Sequence, residues 1–269
     1  MSSLVLAVAM LWTVYSMPPE KQSLTDRPSL IVEAANGEAL GRVGPLADTV
    51  QRQDFPEVLV NAVLGIEDRR FYSHWGVDPR GVVRAAHANW AAEAIVEGGS
   101  TITQQLAKLQ VVGNERTLSR KVREALTAVW LEVRLGKDEI LRRYLNSVYL
   151  GSGAYGMSAA ARMYFDKTLS DLSLPESALL AGLIQAPSKY EPFRNLALAQ
   201  ERAGTVIDAM LEAGTISADA AKKAKAMPAT LKRSPNTALA ASWFPDWIAK
   251  HELPKITGSS DRVIRVRTT

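Results

Sequence analysis

Gly98-Gly99-Ser100-Thr101-Ile102-Thr103-Gln104-Gln105-Leu106-Ala107-Lys108 is the stretch on which the reading of this chain turns. Two glycines run into a polar cluster, and a helical pattern follows. Thr101 with Gln104 three positions on fits a capping box, so a helix is predicted to start here. A helix start leaves backbone N–H groups unpaired at the positive end of the dipole, a ready place for anionic oxygens. Gln104, Gln105 and Lys108 add amide donors and a fixed charge within the next turns. The same residues also suit an ordinary glycine-rich loop that caps an ordinary helix, so the flanking sequence has to decide.

Working outward, the preceding segment predicts a helix from Pro56, with Val58, Leu59, Ala62, Val63 and Ile66 at helical spacing. It runs into Glu67-Asp68-Arg69-Arg70-Phe71, which puts Glu67 near a helix C-terminus, where the dipole disfavours added negative charge. Partial burial there would raise its pKa and make it a better proton acceptor. The competing reading is a solvated carboxylate paired with Arg69 or Arg70. Asp78-Pro79 reads as an N-cap with proline at the first helical position. The Ala-rich segment after it is a packed helix or a lip that touches a membrane.

After the central stretch, Leu118, Val122, Ala125, Val129 and Val133 predict an apolar helix face between Thr117 and Gly136, with Gly136 as the stop. At 100° per residue, Arg116, Arg120 and Glu124 fall on the opposite, solvated face. Ile140, Leu141, Tyr144, Leu145 and Val148 form a further stripe, followed by the turn Gly151 to Gly156. Ser173 with Glu176 makes another capping box, with Pro175 in the first turn of a helix through Leu183. Arg202 to Leu211 and Ala218 to Ala226 read as surface-type helices.

Composition narrows the function classes. The chain has 269 residues, 47% of them apolar, enough for a sizeable core. A net charge of +4, with no Lys/Arg block interleaved with aromatics, gives no case for nucleic acid. No cysteine excludes disulfides and thiolate metal sites, and His74, His87 and His251 have no ligand spacing. Leu4 to Met17 is apolar with Trp12 and Tyr15 near its end, but shorter than the roughly 20 residues a span needs. It reads as the outer end of a membrane anchor whose beginning is missing. Leu30-Ile31-Val32 and Ala39-Leu40 flank Asn36-Gly37, a strong hairpin signal.

Taken together, these residues resemble the peptidoglycan glycosyltransferase family. The resemblance rests on Glu67-Asp68-x-x-Phe71-x-x-His74-x-Gly76, the Gly98 to Lys108 stretch, and Arg120-Lys121-x-x-Glu124. It continues through Ile140-Leu141-x-x-Tyr144-Leu145-Asn146-x-x-Tyr149-x-Gly151, Tyr164-Phe165 and the Leu174 to Pro187 segment. The fold this implies is mainly α and lysozyme-like, with a small N-terminal β-hairpin and a partial C-terminal β linker. The expected division is 1–17 partial anchor, 18–45 linker and hairpin, 46–215 glycosyltransferase domain, and 216–269 helical extension with the start of a linker.

The resemblance implies an enzyme on the outer or periplasmic face of the cytoplasmic (inner) membrane, polymerising lipid II, a disaccharide-pentapeptide on a polyprenyl diphosphate. The nascent glycan strand is the donor, and the 4-hydroxyl of incoming lipid II attacks with inversion. Glu67 matches the family's catalytic base, and Glu124 its second required Glu, which orients cations or is a candidate ligand for a divalent cation (Mg or Mn). Lys108, Arg116 and Arg120 match diphosphate positions; Asp68, Ser100, Gln104 and Gln105 match positions in the same cleft. No organic cofactor is implied, and a cell-wall synthesis assembly is the expected protein context. Leu109 departs from the family's usual Asn, which puts polar contacts there in doubt.

Val263 to Thr269 resembles the strand that opens the linker to a transpeptidase in bifunctional class A penicillin-binding proteins. No Ser-x-x-Lys transpeptidase motif is present. The expectation is therefore the glycosyltransferase half of a bifunctional parent, with a monofunctional enzyme as the alternative. A lysozyme-like lytic enzyme would use a catalytic carboxylate too, but has no need of Lys108, Arg116 and Arg120. An inactive glycan-binding scaffold would be expected to have lost Glu67 or Glu124.

Overall fold

A computed structural model describes residues 29–33, 35, 39–43, 50–91, 98–110, 118–232 and 263–267. The expected anchor over 1–17, Arg116 and the Asn36-Gly37 turn lie outside them. In chain order the elements are strands β1 (Ser29–Glu33) and β2 (Ala39–Val43), and helices α1 (Glu57–Glu67), α2 (Pro79–Ala91), α3 (Ile102–Gln110) and α4 (Leu118–Arg134). Helices α5 (Lys137–Ser147), α6 (Met157–Phe165), α7 (Leu174–Leu183), α8 (Leu196–Glu212) and α9 (Ala218–Ala226) follow, then strand β3 (Val263–Arg267). The protein is mainly α, as the sequence predicts. Among the described residues no helix is long and apolar enough to cross a membrane.

The chain forms two compact units. The first has Arg70–Leu141 as its described part; the second combines Thr25–Arg69 with Arg142–Thr269. In the first, α3 packs on α4, and Ile102, Leu106 and Ala107 on the one and Ala128 and Leu131 on the other are buried. Asp78 starts α2 as expected: its carboxylate accepts from the Arg80 N–H at 3.2 Å, ahead of Pro79 at the first helical position.

Helix α4 lies the other way round from the sequence prediction. Val122 and Val133 are 55% and 65% exposed, whereas Glu124, on the face expected to be solvated, is 3% exposed. Glu124, Ala128 and Leu131 recur at i, i+4 and i+7 and form the inward stripe. Small Ala128 allows the backbone of Gly76 to approach; a Cβ on Gly76, whose φ is +78°, would stand 2.8 Å from the Ala128 carbonyl. Close packing of backbone on a small residue, plus partners for one carboxylate, outweighs the valine stripe. Helix α4 ends at Arg134, just before Gly136 as expected, and the Gly136 carbonyl then accepts from Glu139 and Ile140 and so opens α5.

In the second unit α7 is the central helix, with every residue from Glu176 to Leu183 buried. It packs against α1 and α8, and α9 packs on α8. The predicted capping box is present: Ser173 N–H donates to Glu176 at 2.8 Å, and Lys167 Nζ reaches both Glu176 oxygens at 2.8 Å. Helix α8 starts earlier than expected and is no surface helix, since Arg202, Ala203, Val206, Ile207 and Met210 are buried. The turn after α5 needs left-handed backbone at Gly151, Ser152, Gly153 and Gly156. At Gly156 a Cβ would meet the Asn146 carbonyl oxygen at 2.5 Å.

The small sheet has the order β2-β1-β3. Strand β1 pairs antiparallel with β2 (Leu30 opposite Val43) and parallel with β3 (Leu30 opposite Ile264). Strand β3 thus covers the edge of β1 that the hairpin leaves open, with Arg267 at 3.5 Å from Glu33.

Candidate active site

The first unit carries the cationic residues. Thr101 and Gln104 close a reciprocal box, the Thr101 N–H on Gln104 Oε1 at 3.0 Å and the Gln104 N–H on Thr101 Oγ1 at 3.1 Å. Thr101 Oγ1 also donates to the Gly76 carbonyl at 2.6 Å, which ties the start of α3 to the turn after the Phe71–Ser73 segment. Gln104 is therefore buried, with its amide oxygen occupied by the cap. In the same first turn, Thr103 Oγ1 donates to Glu132 at 2.7 Å, and Lys137 Nζ binds the same oxygen at 2.7 Å while lying 4.5 Å from the Phe71 ring centroid. These contacts fix α3 against α4.

Glu124 is the hub of the site. Its buried carboxylate takes Arg120 Nη1 on one oxygen at 3.0 Å and Lys121 Nζ on the other. Lys121 Nζ also reaches Ser100 Oγ at 3.0 Å, so the glycine-rich stretch and α4 meet at this lysine. Two cations converge on one buried anion beside a helix start. Lys121 is a residue the sequence reading passed over as a site member. The signal was its i, i+3 spacing to Glu124, which places both on one helix face. Lys108 is exposed on α3, and Gln105 is half-buried. Among the described residues no ion pair engages Lys108.

The second unit carries the carboxylate pair. Glu67 closes α1 and is half-buried. Asp68 follows at the cap, is buried, and donates its N–H to the Leu64 carbonyl at 3.0 Å. Both arginines that could have neutralised Glu67 are engaged elsewhere. Arg69 binds the Gly65 carbonyl at 3.1 Å and Glu212 at 2.9 Å, and Arg70 pairs with Asp78 at 3.7 Å. Tyr144 on α5 is completely buried. Burial first, then the charges of Glu67 and Asp68, push its phenol well above the ordinary range. The phenol therefore stays neutral beside two carboxylates.

The profile of the Transglycosylase family matches residues 36–211. The chain belongs to the transglycosylase family. This transglycosylase chain is 42% identical over 245 residues to penicillin-binding protein 1A of Aquifex aeolicus, covering 91% of the chain and 32% of that protein. It is 44% identical over 211 residues to penicillin-binding protein 1A of Neisseria gonorrhoeae, covering 77% of the chain and 26% of that protein. The transglycosylase thus spans about a third or less of the length of these relatives. Its fold is shared with the crystal structure of penicillin-binding protein 1A from Haemophilus influenzae, with a TM-score of 0.50 and 21% identity over 89% of this chain and 26% of that one. The family assignment read from the ordered motifs stands.

Proposed function

We propose that this transglycosylase polymerises lipid II into glycan strands, with Glu67 as the base. The observation that carries the reading is the Arg120–Glu124–Lys121 cluster, two cations aligned by one buried carboxylate beside the Gly98 to Lys108 stretch. A diphosphate is a good leaving group, so its departure asks for fixed positive charge more than for a general acid. Arg120, Lys121 and Lys108 supply that charge, with Arg116 expected to join them. Ser100 and Gln105 hold polar atoms of the substrate. Gln104 acts through the cap that sets the start of α3. The acceptor 4-hydroxyl gives its proton to Glu67 while its oxygen attacks the anomeric carbon and the diphosphate leaves from the opposite face, which inverts that centre. Asp68 and the neutral Tyr144 lie within electrostatic reach of one another and of Glu67.

Glu124, the carboxylate offered for a divalent cation, does not fit that role in this conformation. Both its oxygens accept from cations, so a metal there would have to displace Arg120 or Lys121.

The membrane side of the proposal rests on α2. Val83 and Trp90 are seven positions apart on one helix face and 70% and 80% exposed, with Val82 beside them. Arg80 and Arg84 are exposed on the same helix. Apolar side chains with flanking arginines suit an interfacial helix on the outer leaflet of the cytoplasmic membrane, where a polyprenyl substrate resides. The test is to supply labelled lipid II to the detergent-solubilised protein and to resolve products by size. A ladder of glycan polymer is expected; unreacted lipid II would refute the assignment.

A further inference from the structure

The second unit holds an open groove of about 660 Å³ lined by Val50, Gln53, Asp54, Pro56, Ser158, Arg162, Thr168, Leu169 and Ser170. Its size falls in the range of small-ligand sites, roughly 300–1,000 Å³. Its walls are fixed. Val50 donates to Asn146 Oδ1 at 3.0 Å and accepts from Asn146 Nδ2 at 2.9 Å, which ties one rim to α5. Thr168 Oγ1 donates to Asp171 at 2.6 Å and lies 2.8 Å from Ser170 Oγ, which sets the other rim. The floor is apolar, from Pro56 and buried Leu169.

Its charges are what single it out. Arg162 and Asp54 are both exposed into the groove, and among the described residues neither has an ion-pair or hydrogen-bond partner for its side chain. Two opposite charges in one cleft, too far apart to neutralise each other, suit a ligand that bears an ammonium and a carboxylate at matching separation. A single anion would satisfy only one of them, and a neutral sugar would bring a counter-charge to neither.

We propose that this groove binds the stem peptide of the substrate through its zwitterionic part, Arg162 taking a peptide carboxylate and Asp54 a side-chain ammonium. This rests on the lipid II reading above. The groove lies at the N-terminal end of α1 and Glu67 at the C-terminal end. Eleven helical residues separate them by about 16 Å at 1.5 Å per residue. A pentapeptide extends to at most about 17 Å, so a stem carried on a sugar at Glu67 reaches the near rim of the groove only when fully extended. The site would make the enzyme sensitive to the chemistry of the stem.

The test is calorimetric titration of the full chain with a soluble disaccharide-pentapeptide bearing a free side-chain amine, and with the same fragment acetylated at that amine. Saturable binding is expected, weakened about tenfold by Arg162→Met and about tenfold by Asp54→Asn, as loss of a charged hydrogen bond implies. Acetylation should weaken wild-type binding and add little to Asp54→Asn. Both variants change exposed side chains, and circular dichroism would verify the fold. Equal affinity in wild type and both variants, or no binding at all, overturns the groove. Polymer formation from lipid II by the wild-type chain is scored separately. Polymer without variant-sensitive binding removes the groove alone, and absence of polymer removes the enzyme reading with it.

Discussion

Replacing Glu124 by Gln should damage the cationic cluster while preserving its shape. The carboxylate is 3% exposed and holds Arg120 at 3.0 Å. A hydrogen bond to a charged group contributes about 1.5–3 kcal/mol when buried. Lys121 is nearly half exposed, so its share is discounted to at most about 1 kcal/mol. The amide keeps one acceptor and turns its NH₂ toward a cation, so one bond is lost and a donor faces a donor. The expected loss is about 2–3 kcal/mol, concentrated in α4. Amide hydrogen exchange over Leu118–Arg134 reads it locally, and denaturant titration reads it globally. The variant also leaves two cations without their anion, so affinity for a lipid diphosphate should hold or rise while turnover falls. Unchanged exchange in α4 with unchanged turnover would refute the hub role.

Gly156→Ala forces a Cβ against the Asn146 carbonyl at a backbone φ of +82°, and should cost at least about 2 kcal/mol in a denaturant titration. Glu176 titrates below its ordinary value: burial raises its pKa, but hydrogen bonds from Lys167 and Ser173 outweigh that. Its contribution is therefore present above the ordinary value near 4.5 and lost as pH falls through the folded pKa, so Glu176→Gln should flatten the acid side of a stability–pH curve. Tyr164 is held neutral by burial and by the charge of Glu191. Its folded state keeps a proton that the unfolded chain releases near pH 10, so stability falls as pH rises beyond that value. Tyr164→Phe should soften this alkaline loss in thermal melts.

Where local chemistry decides, the sequence was legible. The Thr101–Gln104 and Ser173–Glu176 boxes both form, and Glu67 ends α1 as its position implied. The stripe through Ile140, Leu141, Tyr144 and Leu145 is fully buried. Helix α4 was not legible, because periodicity ranks faces by hydropathy and cannot know which face finds a partner. Glu124 gains Arg120, Lys121 and close packing around Ala128, and that combination turned the helix over. Arg202 was misplaced for a related reason. Gly182 provides a flat surface for its stem, with a Cβ position 3.0 Å from Arg202 Cγ, and the Tyr190 ring centroid lies 6.0 Å from the guanidinium. The engagement of Arg69 by Glu212 depends on long-range chain folding, which no local pattern encodes.

Glu67 is proposed to remove the proton of the acceptor hydroxyl. Polymerisation of lipid II by wild type and Glu67→Gln, measured as a function of pH under equal substrate binding, tests it most directly. Turnover of Glu67→Gln should fall at least about a hundredfold, with substrate affinity retained and the acidic limb of the profile abolished. A Gln variant that polymerises at the wild-type rate, with the same acidic limb, would contradict it.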